Sequence, residues 1–160
     1  MGSTTFSGPV TSTAGFISGS GSLVSIAASA TMTAAANAGR TMVLGVATGA
    51  TVTLPAATGT GNTYTFFVGT TITSNDYIIQ VASGTDTMAG VAIQANDAAD
   101  TASVWETAAT TDTITLDGST TGGILGQKIV LQDVASGVFS VVITGASTGS
   151  EATPFSAAVA

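Results

Sequence analysis

The sequence has no cysteine and no histidine, and its only cations are Arg40 and Lys128. Without cysteine there are no disulfide frameworks, thiol nucleophiles or thiolate metal sites, and the redox compartment stays open. Without histidine the imidazole ligand and the commonest general base are gone as well. Two cations against nine carboxylates give a formal net charge of −7. Binding to nucleic acid rests on Lys and Arg displacing phosphate counterions, so no nucleic-acid partner is expected. No membrane partner is expected either, because no run approaches the ~20 apolar residues of a spanning helix. Charge of either sign is scarce, at 7% of residues. The surface is therefore neutral and polar, and charge desolvation opposes its association only weakly.

Targeting signals are also missing. The stretch LVSIAASATMTAAANA, residues 23–38, ends like a signal-peptidase site. It has no basic residue before it and is interrupted by Ser and Thr, which argues against a secretory leader. Phe6 occupies the position where a myristoylation signal needs Ser or Thr.

What the sequence has is threonine, at roughly a fifth of residues and far above average usage. Being β-branched, Thr suits a half-exposed sheet face. At 160 residues the chain is of single-domain size, and a fold of this length buries ~68–70% of its unfolded surface. Residues 1–38 read as an extended arm with isolated apolar anchors, with room for a short helix over 23–36 in its Ala-rich part. From 39 to 160 apolar residues alternate over short stretches: Val43; Val52 and Leu54; Tyr64, Phe66 and Val68; Tyr77, Ile79 and Val81; Ile114 and Leu116; Ile129 and Leu131; Phe139, Val141 and Ile143. Turn clusters such as Ser74-Asn75-Asp76, Asp117-Gly118 and Ser136-Gly137 separate them. The expected fold is all-β, an antiparallel β-sandwich or β-barrel, jelly-roll-like, carrying the N-terminal arm. Residues 51–69, TVTLPAATGTGNTYTFFVG, read as a hairpin with Val52 and Leu54 inward and the loop from Pro55 to Asn62 projecting. Phe67 breaks the alternation and is expected outward, where a second surface would cover it. Residues 94–111 are the least strand-like of the second half and read as a loop anchored by Trp105.

Motifs for chemistry fail on inspection. Thr-x-Thr recurs, but at spacings too irregular for the stacked register of an ice-binding solenoid. Asn96, Asp97 and Asp100 lack the order of a Ca²⁺ loop and read as a solvated turn. GGILGQK departs from a phosphate loop, since Gln127 intervenes and Ile129 follows Lys128. Lys128 is expected as an outward strand residue. No catalytic, cofactor-binding or metal-binding residue is assigned, no cofactor is expected, and an enzyme is not expected.

Three segments carry a resemblance. The arm TTFSGPVTSTAGF, the stretch TVTLPAATGTGNTYTFFVGTTITSNDYIIQV and the C-terminal run from DTITLDGS to ATPFS are similar to small virion structural proteins of tailed bacteriophages, marine ones especially. Most of all they resemble capsid decoration, or cement, proteins. Those relatives often carry Gly-Asp before the strand of Ile129 and Trp in its partner; here Gly126-Gln127 and Phe139 stand instead. The resemblance implies a non-enzymatic protein on the outer capsid surface of the virion, bound to the major capsid protein as a homotrimer. Its contact residues would be Phe6, Val10, Phe16 and Ile17 of the arm with Phe67 and Trp105 of the domain. A head fibre, knob or tail protein binding a host glycan is the alternative, with Trp105, Tyr64 and Tyr77 as its aromatic candidates.

Overall fold

The structure is a computed structural model that describes residue 7 and residues 23–160. Phe6, Val10, Phe16 and Ile17 lie outside the described residues. The elements are β1 (Leu23–Ile26), β2 (Ala30–Thr31), a single helical turn α1 (Ala34–Asn37), β3 (Thr41–Leu44), β4 (Ala50–Thr53), β5 (Thr63–Val68) and β6 (Tyr77–Gln80). They continue with β7 (Thr87–Asn96), β8 (Ala102–Glu106), β9 (Thr113–Leu116), β10 (Lys128–Ala135), β11 (Val138–Ser147) and β12 (Phe155–Ser156).

The fold is all-β, in two sheets that enclose one apolar core. A seven-stranded sheet runs β1-β3-β5-β10-β11-β7-β8, and a five-stranded sheet runs β12-β9-β6-β4-β2. Both are mixed, where the alternation led us to expect antiparallel pairing. From β1 to β6 each strand crosses to the opposite sheet. β1, β3 and β5 therefore pair in parallel on one side, and β2, β4 and β6 in parallel on the other. This half of the domain is a short solenoid of unequal coils. The second half returns to antiparallel pairing in β10–β11 and β7–β8, and inserts a parallel contact between β11 and β7.

Residues 23–38 are part of this body, contrary to the boundary drawn after residue 38. Ile26 and Met32 are buried in the core. The helix considered over 23–36 is confined to α1. Thr33 caps it by accepting from the Ala36 N–H at 3.3 Å, and Asn37 accepts from the Thr33 N–H at 2.9 Å. Without a helical apolar stripe, the Ala-rich stretch gains more by placing Val24, Ile26 and Met32 against the sheets.

The inward residues match the alternation at nearly every strand. Val52, Leu54, Tyr77, Ile79, Ile114 and Leu116 face Tyr64, Phe66, Ile129, Leu131, Phe139 and Ile143, all buried. Tyr64 and Phe139 meet edge to face with centroids 6.3 Å apart. Val43 is the exception. In TMVL both parities are apolar, and Met42 and Leu44 take the core while Val43 faces out.

The TVTL and TYTFFV stretches do not form a hairpin. β4 and β5 belong to different sheets, and residues 55–62 arch over the end of the core between them. Residues 94–111 are likewise not a loop. They hold the end of β7 and all of β8, paired from Val91↔Glu106 to Ala95↔Ala102.

Candidate interaction face

Side chains alternate across a strand, so the outward positions of the seven-stranded sheet fall into cross-strand rows. One row runs Ser25, Val43, Phe67, Lys128, Thr144, Ile93, Val104. The next runs Leu23, Thr41, Thr65, Val130, Val142, Val91, Glu106. Apolar side chains hold most of both rows, and Lys128 and Glu106 are the only charges in them. Phe67 is 37% exposed, with Ile93, Val104 and Val142 also open to solvent. The outward Phe67 expected from the sequence thus belongs to an apolar band that crosses the sheet. Lys128 stands beside it as an outward strand residue, as expected.

Trp105 is not on this face. It pairs with Ala92, whose side chain is buried, and packs half-buried against the core from the edge strand. Tyr64 and Tyr77 are buried too, and the Tyr77 hydroxyl accepts from the Val46 N–H at 2.6 Å. Neither tyrosine is placed to serve as a platform for a sugar ring.

The opposite face, on the five-stranded sheet, carries hydroxyls at Thr31, Thr51 and Thr53. A shallow cleft of about 430 Å³ there is lined by Ser29, Thr48, Thr51, Asn75, Asp76 and Ile78 among others. Thr31 and Thr53 stack in register, but Gln80 follows in the same row and ends the hydroxyl ladder after two coils.

Four of the nine carboxylates hold loops or the C-terminal segment. Asp133 follows Ile129 and Leu131 in the inward column of β10 and is buried. A bulge after it at Val134 re-aims the strand end. Its carboxylate accepts from the backbone N–H groups of Thr58 (3.0 Å), Gly59 (2.6 Å) and Thr60 (3.0 Å) and from the Thr60 hydroxyl (2.6 Å). Burial pushes this carboxyl up, yet the bonds from Thr60, Gly59 and Thr58 outweigh it and bring it down to about 2. Asp86 adds a bond from the Ala57 N–H at 3.1 Å. The arch expected to project is therefore pinned to the domain. Asp112 holds the C-terminal segment through the Ala158 and Val159 N–H groups. Asp117 closes its own turn through the Ser119 and Thr121 N–H groups and the Thr120 hydroxyl. For both, burial raises the carboxyl, and these hydrogen bonds, with that from the Thr113 hydroxyl to Asp112, draw it below the ordinary value.

Sequence reasoning missed Asp133, although a signal was there. An Asp at the inward parity of an apolar column is buried, and a buried carboxylate needs donors. Asn96 shapes the β7–β8 turn, accepting from the Ser103 N–H at 3.0 Å and donating to the Thr101 hydroxyl at 3.2 Å. Among the described residues no group of three or more His, Cys, Asp or Glu is placed to hold a metal ion, and no helix is long and apolar enough to cross a membrane. No family model, curated protein or solved structure matches the chain.

Proposed function

We propose that this chain is a non-enzymatic virion structural protein, a capsid decoration protein that binds the major capsid protein on the outer surface of a phage head as a homotrimer. The observation that carries the reading is the apolar band across the seven-stranded sheet, centred on Phe67 and Val142. Monomeric soluble proteins rarely leave such a band uncovered. Low charge makes its burial cheap, and a net charge of −7 suits the side of the shell away from packaged DNA. The resemblance of the arm and the C-terminal run to decoration proteins points the same way. Many copies on a symmetric shell stabilise it by mass action, as any ligand selective for the assembled state does.

Co-sedimentation of the purified protein with expanded capsids tests the reading. The full chain is expected to pellet with capsids and to raise their disruption temperature. Removal of residues 1–20 is expected to weaken attachment while the β domain stays folded. If the full chain leaves capsids unbound, decoration is the wrong function; unchanged affinity after truncation removes only the arm's part.

A further inference from the structure

The inward face of the seven-stranded sheet turns polar at one end. Read backwards along β10, the inward positions are Asp133, Leu131 and Ile129, and Gln127 continues them just before the strand. Alongside, the inward column of β11 runs Ile143, Gly145, Ser147, and Gly145 pairs with Gln94 of β7. Gln94, Gln127 and Ser147 are 0%, 1% and 0% exposed. Gly145 leaves the room that the Gln127 stem occupies, since a methyl group there would stand 2.6 Å from Gln127 Cγ. At Gly122 a methyl group would stand 2.5 Å from Gln127 Nε2 and 2.8 Å from Gln94 Nε2. Both side-chain amides therefore meet over that glycine.

Each amide uses one end on the link between β9 and β10, residues 117–127. Gln94 Nε2 donates to the Thr121 carbonyl at 3.1 Å, and Gln127 Oε1 accepts from the Gly123 N–H. Those bonds decide which end of each amide is the oxygen, because reversing either would set donor against donor or acceptor against acceptor. The ends left over are complementary. Gln94 Oε1 accepts and Gln127 Nε2 donates, yet both are buried with no hydrogen bond to any described residue, and so is Ser147 Oγ. Native interiors rarely leave such atoms unsatisfied, since burial strips a polar group of its hydration and only a new partner replaces it.

The chemistry of those ends selects the ligand. A cation would face the Gln127 N–H, and an anion would face the Gln94 carbonyl oxygen. Water both donates and accepts, and a buried water typically holds about three hydrogen bonds to groups that are otherwise unsatisfied. We infer that one buried water is a fixed part of this fold, accepting from Gln127 Nε2, donating to Gln94 Oε1 and completing its bonds at the Ser147 hydroxyl. It closes a polar bolt between the sheet and residues 117–127. That link carries the exposed Leu125 and leads into Lys128 beside Phe67, so the bolt sets one end of the apolar band. The water site stands independently of what the band docks against.

A crystal structure of the full chain, at a resolution that shows ordered solvent, tests it. The expected result is a single solvent peak at about 2.7–3.2 Å from both Gln94 Oε1 and Gln127 Nε2. Four results overturn it: a dry site, the two amides bonded directly to each other, a side chain from residues 1–22 between them, or a peak at about 2.3–2.6 Å from its ligands, as a bound Ca²⁺ has. In solution, oxygen-17 relaxation dispersion counts long-lived waters. Gln94→Met keeps the length of the side chain and removes the acceptor, so the count is expected to fall by one from wild type. Equal counts in the two folded proteins would overturn Gln94 as a ligand of the water. Should Gln94→Met fail to fold, the wild-type crystal decides alone.

Discussion

Asp133 accepts both the backbone N–H, at 3.0 Å, and the hydroxyl, at 2.6 Å, of Thr60, a residue 73 positions earlier in the chain. One carboxylate thereby ties the end of β10 to the arch that carries the chain from one sheet to the other. Replacing Asp133 with Ala strands the N–H groups of Thr58, Gly59 and Thr60, and hydrogen bonds to a charged group contribute about 1.5–3 kcal/mol. Urea denaturation of Asp133→Ala is expected to show a loss of that size, with near-native spectra before the transition.

The same carboxylate makes stability depend on acid. Its folded value of about 2 lies below the ordinary 3.8. The stabilisation is thus complete above about pH 4 and is lost as pH falls through 2. Asp112 and Asp117 are shifted in the same direction and add to the slope. Melting temperatures between pH 6 and 2 should fall more steeply for wild type than for Asp133→Asn. Equal slopes would mean that Asp133 is not the titrating staple.

Phe66 and Phe67 are neighbours with opposite duties. Phe66 is fully buried, so Phe66→Ala is expected to cost about 3–5 kcal/mol. Phe67 is on the open band, so Phe67→Ser should move the unfolding midpoint by about 0.5 kcal/mol or less while lowering capsid co-sedimentation. A strongly destabilised Phe67→Ser, or one that pellets with capsids as wild type does, would contradict its assignment to the interaction face.

Gly90 is fixed by space. A methyl group there would fall on the Val141 carbonyl oxygen of the adjacent parallel strand. Gly90→Ala must push β7 and β11 apart where they pair over ten residues, from Val138↔Thr87 to Ser147↔Asn96. A loss of about 3 kcal/mol is expected, read as a lowered melting temperature.

Tyr77→Phe removes only the hydroxyl that accepts from the Val46 N–H, and should cost about 1 kcal/mol by leaving that half-buried donor without its partner. Burial raises the Tyr77 phenol above its ordinary 10.0, with the Val46 bond pulling the other way. The fold therefore favours the neutral phenol. This contribution is intact below pH 10 and is lost as pH climbs through the raised value. Absorbance titration should show late ionisation that coincides with unfolding.

The sequence made faces legible and connections illegible. Alternation marks which residues of TVTL and TYTFFV point inward, because side-chain parity is a local property. It carries nothing about whether the next strand joins the same sheet, and an eight-residue link of Pro, Ala, Thr, Gly and Asn serves a hairpin or an arch equally. The deciding group was Asp133, far along the chain. β8 escaped notice because an edge strand with one half-buried face needs only Trp105 inside. In TMVL, apolar residues on both parities left the choice to packing, which preferred the longer Met42 and Leu44.

None of the first six strands hydrogen-bonds its neighbour in sequence, since each crosses the core to the opposite sheet. Local closure therefore gains little early in folding, and the entropy of bringing distant segments together must be met before most contacts form. The tight β10–β11 turn at Gly137, in left-handed conformation with φ 77°, is the natural first structure. The coils then have to assemble around a sheet edge already in place. Refolding is expected in the millisecond-to-second range typical of high-contact-order β proteins. Gly137→Val should slow refolding much more than it speeds unfolding.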